Sequence, residues 1–323
     1  MMKYAPTWMA AGLAGILMAG TAAAQETIAV VVKDTTSPFW QTVMAGACEA
    51  GRDLGVTVNV TGPQSEADIA AQISTVENAV STGADALVLA PTSFDGLGPA
   101  VDEAAESMPV FLIDSKANSE AYTSLLATDN ILGGRLGGEA LGNAIEAKHG
   151  SASGTVGIIS YGPGVSTLDE RIQGFKEGLA AFPDLEIVTE RVGDFQTTTA
   201  LNDTSDVLTA FPDITGLFAD ALFTGLGAGQ ALSESGKAGE TLLVSFDASD
   251  TLEQFIRDGV AQALIVQDPY RMGYGGVENA LEALAGEDIP DFIDTGVMVI
   301  TPDNVDTDEA QALLHPDLSC LQE

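Results

Sequence analysis

The chain has 323 residues, of which 46% are hydrophobic, 18% charged and 6% aromatic, a composition too apolar for a disordered chain and a length that suits two domains. Twelve basic residues face 47 acidic ones, for a formal net charge of −35. That excess of carboxylates excludes nucleic acid as a partner, because affinity for phosphate needs Lys and Arg to displace counterions, and it disfavours an anionic membrane surface for the same reason.

Residues 1–24 read as a secretory signal. Lys3 is their only charge, the apolar run 8–20 falls short of the ~20 residues that span a bilayer, and Ala22-Ala23-Ala24 marks cleavage after Ala24. No lipobox cysteine follows, so the expectation is a freely diffusing periplasmic protein without direct membrane insertion. Loss of Lys3 takes the formal charge from −35 to −36. In an oxidising compartment Cys48 and Cys320 can pair as a disulfide, with two separate thiols as the alternative. The two histidines, His149 and His315, show no zinc-ligand spacing with either cysteine.

From Thr27 the pattern alternates short β-branched runs with longer amphipathic segments. Strands are predicted at 28–33, 56–60, 86–90, 110–113 and 123–127, with helices at 39–54, 66–81 and 94–106. A second series opens after Thr128, where Asp129 or Asn130 can cap a helix at 132–147. Strands at 155–160, 186–192, 216–219, 242–246 and 262–266 then alternate with helices at 169–181, 197–211, 222–234 and 251–258. This order implies βαβ units, hence two similar α/β halves built on parallel sheets with helices on both faces. No Pro- or Gly-rich linker divides the halves, so strands are expected to pass directly between them and act as a hinge. In doubly wound sheets the ligand sits at the carboxyl ends of the strands, which directs attention to the strand-to-helix loops.

Enzyme signatures are weak in those loops. The run Gly225-Leu226-Gly227-Ala228-Gly229-Gln230 lacks the last glycine of a dinucleotide fingerprint and lies in a helical pattern, and there is no Walker A lysine motif or nucleophile elbow. His149 closes a helix and His315 sits in a polar tail, neither placed as a base. No cofactor is called for.

The loops do carry one coherent set of motifs. Lys33-Asp34-Thr35-Thr36-Ser37-Pro38-Phe39-Trp40 after the first strand, Ala90-Pro91-Thr92, Phe111-Leu112-Ile113-Asp114, Thr128-Asp129-Asn130 with Gly133-Gly134, Asp169-Glu170-Arg171 with Gly174-Phe175, Gly193-Asp194-Phe195, Phe246-Asp247 and Gln267-Asp268-Pro269 follow one another in order. Over about residues 27–300 the chain resembles periplasmic sugar-binding proteins of the ribose- and galactose-binding type. The resemblance implies the type I periplasmic binding protein fold: α/β, with two doubly wound parallel-sheet domains joined by three crossovers. The domains would be 25–127 plus 269–294 and 128–268 plus 295–306, with 307–323 as a C-terminal tail. It implies a monomer that captures a sugar or polyol between its domains and delivers it to the permease of an ABC importer, without covalent chemistry.

Site residues follow from the same resemblance. Phe39 and Phe195 match aromatics that stack on the sugar from either domain, with Trp40 beside the ligand. Asp114 and Asp247 match acceptors of sugar hydroxyls, Arg171 a donor to hydroxyl or ring oxygens, and Gln267 a crossover amide. The chain departs from the ribose pattern at Ser37, Ala90, Ser115 and Ala221, which shorten or remove four polar contacts and set the chain apart from ribose binders. Lys33, where a small polar residue is usual, together with Asp114-Ser115 is also similar to autoinducer-2-binding relatives. A small polyhydroxylated signal is therefore the alternative ligand, and a sugar-acting enzyme the remote alternative.

Overall fold

The protein is described from a computed structural model that covers residues 1–2 and 25–322, so the expected signal segment beyond Met2 and its cleavage point lie outside the described residues. The first lobe opens with β1 (Thr27–Val31), α1 (Pro38–Leu54), β2 (Thr57–Thr61), α2 (Ile69–Ser81), β3 (Ala86–Leu89), α3 (Phe94–Ala105), β4 (Val110–Ile113) and β5 (Ser124–Ala127). The second lobe follows with α4 (Asn130–His149), β6 (Ser153–Ser160), α5 (Ser166–Leu179), β7 (Asp184–Val192), α6 (Thr197–Ala210), β8 (Gly216–Ala219), α7 (Leu222–Glu234), β9 (Leu242–Phe246), α8 (Asp250–Arg257) and β10 (Ala263–Gln267). α9 (Pro269–Leu284) and β11 (Phe292–Asp294) return to the first lobe, and β12 (Val297–Ile300) and α10 (Asp308–Leu314) to the second.

Among the described residues the strands form two six-stranded sheets, β2-β1-β3-β4-β5-β11 and β7-β6-β8-β9-β10-β12. The second repeats the strand order of the first. Pairing is parallel throughout except for β12, which runs antiparallel to β10. The inner strands β3, β4, β8, β9 and β10 are buried at every position, which is why they read as near-continuous apolar runs, interrupted only by Ser245 in β9 and Gln267 at the end of β10, rather than as alternating ones.

Caps set the helix starts. Asp129 accepts the N–H of Leu132 at 2.9 Å and begins α4, which releases Asn130 for another role. Asp68 accepts the N–H of Ala71, so α2 starts at Ile69 and not at residue 66; residues 66–68 belong to the loop before it. Glycines let helices touch backbone to backbone: a Cβ on Gly134 of α4 would stand 2.1 Å from the Arg171 carbonyl oxygen of α5, and one on Gly46 of α1 would stand 2.1 Å from that of Tyr270 in α9. The α4–α5 contact carries Arg171 to the lobe interface.

Three segments cross between the lobes, at Thr128, Asp268 and Thr295. Two of them lie side by side, with the Thr128 hydroxyl donating to the Gly296 carbonyl at 3.1 Å and the Thr295 N–H to the Ala127 carbonyl at 3.1 Å. The C-terminal segment is more than a tail. Val305, Ala310 and Leu314 are buried in the second lobe's core with Leu252 and Ile256, and the following turn, Ser319–Gln322, packs on α1 of the first lobe. There Cys320 is disulfide-bonded to Cys48, with Cα atoms 6.0 Å apart. The chain thus makes a fourth, covalent connection between lobes.

Candidate functional site

The carboxyl ends of both sheets face each other across the gap between lobes, and their loops build one cavity. After β1, the Asp34 carboxylate accepts the N–H groups of Thr36 at 2.6 Å and Ser37 at 2.7 Å, folding the loop so that Pro38 starts α1 and Phe39 and Trp40 fall in its first turn. Asp114 after β4 and Asp247 after β9 occupy equivalent places in the two lobes, and both adopt left-handed backbone, with φ of 63° and 68°. A non-glycine residue in that region is strained, and two such residues meeting at one cleft mark a built site.

Nine of the ten residues expected at the ligand line this cavity: Lys33, Ser37, Phe39, Trp40, Asp114, Arg171, Ala221, Asp247 and Gln267. Phe195 does not. Its ring meets Tyr161 edge-on, with centroids 5.3 Å apart, and covers Gly162, so Tyr161 and the Phe223 ring stacked on it supply the aromatic wall of the second lobe. Glu66, Tyr161, Val165, Thr167, Leu168, Leu222 and Phe223 also line the cavity and were not expected there. Neither His149 nor His315 does. A wider gap adjoins the cavity under the C-terminal segment and shares Phe39, Asp247 and Gln267 with it, but the buried charges belong to the inner cavity.

Those charges come in two opposed pairs. Lys33 Nζ lies 2.6 Å from Asp114 Oδ2, which also accepts from the Ser115 hydroxyl at 2.7 Å. Burial pushes the Asp114 carboxyl up, but the charges of Lys33 and then Arg171 outweigh it and hold the group below its ordinary value. Across the cavity Arg171 Nη1 is 3.9 Å from Asp247 Oδ2. The guanidinium lies over the Phe246 ring at 4.1 Å and donates to the Asn130 side-chain oxygen at 2.9 Å and the Asp220 carbonyl at 2.8 Å. Asp247 also accepts from Gln267 Nε2 at 2.6 Å and from the Leu222 N–H at 2.9 Å. For Asp247 burial wins, and its carboxyl is held above the ordinary range despite Arg171. Behind this layer burial pushes Asp220 up to about 7, only partly offset by a hydrogen bond from Ser160.

Two polar atoms of the lining are buried without a hydrogen-bond partner, Ser37 Oγ and Gln267 Oε1. Unpaired buried groups are costly, so both are poised for a polar ligand. At the rim the lobes already touch: the Phe94 N–H donates to the Gly164 carbonyl at 2.9 Å, the Lys116 N–H to Ser166 Oγ at 3.0 Å, and Lys116 Nζ lies 2.6 Å from Glu170 Oε1. The arrangement is a closed clamp whose interior offers carboxylates, an ammonium, a guanidinium, an amide and aromatic faces. That set suits a small molecule with many hydroxyls on one side and C–H groups on the other.

Comparison with known proteins agrees with this geometry. Residues 28–288 match the family model described as periplasmic binding protein domain. The ribose import binding protein of Salmonella typhimurium is 31% identical over 289 residues, covering 89% of this chain and 95% of that protein. A carbohydrate transporter solute binding protein from Agrobacterium radiobacter, solved with D-arabinose, is 43% identical with a TM-score of 0.88, over 90% of this chain and 99% of that one. An ABC transporter solute binding protein from Agrobacterium vitis with bound D-fucose is 40% identical with a TM-score of 0.83, over 90% and 100%. The chain therefore belongs to the periplasmic binding protein family and, within it, to the type I sugar-binding proteins of ABC transporters.

Proposed function

We propose that the chain captures an uncharged monosaccharide in the cavity between its lobes and presents it to an inner-membrane ABC permease, acting as a periplasmic monomer cleaved after Ala24. The lobes are 25–127 with 269–294 and 128–268 with 295–306, and the ligand meets the nine lining residues named above, with Tyr161 in the place expected of Phe195. The observation that carries this reading is the pairing of the buried charges. Lys33 is matched by Asp114 and Arg171 by Asp247, so no cation is left over for an acidic ligand, and a sugar acid would bury an unmatched anion. Each carboxylate can still accept from hydroxyls, while Ser37 Oγ and Gln267 Oε1 complete the polar side.

The ligand class is narrowed by what is missing. Ala221, Leu222, Val165 and Leu168 form an apolar wall, and the Agrobacterium relatives hold D-arabinose and D-fucose, sugars without a 6-hydroxyl. A pentose or 6-deoxyhexose fits that wall. Autoinducer-2 draws no support from these relatives. Binding closes the lobes, and the rim contacts at Phe94 and Lys116 form only in the closed state, so the permease reads occupancy as shape. No step in this cycle makes or breaks a covalent bond.

Calorimetry with D-arabinose, D-fucose, D-ribose, D-galactose and D-galacturonate tests the proposal. D-arabinose and D-fucose are expected to bind most tightly and D-galacturonate not at all. Silence with every sugar would overturn the sugar reading, and preference for the acid would overturn the neutrality argument.

A further inference from the structure

Glu66 lines the cavity although nothing in its sequence surroundings marks it as a ligand residue. It stands in the loop that precedes α2 because Asp68 caps that helix two residues later. Its Oε1 accepts the Trp40 indole N–H at 2.7 Å, while its Oε2 has no hydrogen-bond partner among the described residues. Trp40 is 2% exposed, and its ring is packed at 77° against Phe39. Glu66 therefore holds the orientation of one of the two aromatics that face the ligand from the first lobe, and it has one acceptor to spare.

Resting on the reading of this cavity as a sugar site, we propose that Glu66 is a ligand-binding and positioning residue: it locks the Trp40 indole with one carboxylate oxygen and accepts a sugar hydroxyl with the other. The groups that face it are Lys33 and Asp34 from the loop after β1, Asp114 after β4 and Tyr161 after β6. Burial pushes Glu66 up to about 7, against the opposing charge of Lys33 and the indole hydrogen bond. The ionised form is the better acceptor. Affinity accordingly rises as pH increases through 7, and falls below it as the carboxylate takes up a proton.

The test uses the chain cleaved after Ala24, in which Trp40 is the only tryptophan, with and without Glu66→Gln. The amide keeps an acceptor for the indole but does not titrate. Without sugar, Trp40 emission is expected to shift with a midpoint near 7 in the parent and to stay flat in Glu66→Gln; a parent that does not shift overturns the Glu66–Trp40 coupling, whatever the ligand. With D-arabinose and D-fucose, calorimetry is expected to show at least fivefold tighter binding at pH 8.5 than at pH 5.5 in the parent. In Glu66→Gln binding should be about tenfold weaker at pH 8.5 and should change less between pH 5.5 and 8.5 than in the parent, keeping only the dependence that Asp247 and Asp220 contribute. Parent and variant binding alike at both pH values overturns the role of Glu66 and leaves the sugar reading standing. Absence of heat from both sugars in the parent overturns the sugar reading and the ligand half of this proposal together.

Discussion

Severing the covalent strap tests how the C-terminal segment contributes to stability. The Cys48–Cys320 disulfide closes a loop of 272 residues, nearly the whole described chain. In the chain-entropy description, a cross-link restricts the unfolded ensemble by an amount that grows with the logarithm of the loop, which for this length gives about 5.6 kcal/mol at 25 °C. Fraying of Ser319–Gln322 from α1 once the bond is gone returns entropy to the folded state and reduces the observed loss, and Ala310 and Leu314, buried in the second lobe, confine that fraying to the end of the segment. The double variant Cys48→Ser/Cys320→Ser is therefore expected to lose roughly 3–5 kcal/mol of unfolding free energy, within the range for native disulfides. Urea unfolding followed by Trp40 emission and circular dichroism measures it. The urea slope should also rise, since the released unfolded chain exposes more surface. A loss below about 1 kcal/mol with an unchanged slope would refute the reasoning, because it would mean that the strap restricts neither the folded nor the unfolded chain.

The remaining predictions concern the clamp. Asp114→Ala and Asp247→Ala should each weaken sugar binding by roughly 1.5–3 kcal/mol, the range for hydrogen bonds to charged groups, or about 10- to 150-fold by calorimetry. Asp247→Ala should also destabilise the protein more, since it strips partners from Arg171, Gln267 and the Leu222 N–H at once; unchanged affinity in both variants would mean that the ligand lies elsewhere. Lys116→Ala removes the rim ion pair with Glu170, whose side chains are 45% and 25% exposed. A pair so open to solvent is worth about 0–1 kcal/mol, so sugar release measured by stopped flow should quicken by no more than about fivefold, and added salt should speed release in the parent more than in the variant. Equal salt dependence in the two would show that the pair does not hold the clamp shut.

The fold was legible because its inner strands are buried on both faces. Runs such as Ala86–Leu89 and Val110–Ile113 have no polar position to disguise them, and α2, α3, α4 and α8 are opened by Asp68, Ser93, Asp129 and Ser249, short polar residues whose side chains do the capping. Legibility failed where a boundary depends on which of two adjacent polar residues caps. The apolar spacing after residue 66 reads as helix, yet Asp68 takes the Ala71 N–H and shortens it. It also faded after residue 267, where α9, β11 and β12 shuttle between lobes and the partners of each segment are remote in sequence.

The site divides along the same physical line. Expected residues that follow a strand end do line the cavity, since a parallel sheet delivers every such end to one side: Lys33, Asp114, Asp247 and Gln267 are all of this kind. Those missed depend on contacts between loops of different units. Phe195 has the left-handed backbone of Asp114 and Asp247, with φ of 65°, yet its ring is spent covering Gly162 and backing Tyr161, so the cavity receives the inner aromatic instead of the outer one. Ala221 was found through an absence. An alanine there offers the cavity no polar atom, and this, with the short Ser37 also in the lining and Lys33 drawn into a pair with Asp114, argues for the proposal that the cavity is shaped around a different stereochemistry from ribose rather than being a weakened ribose site.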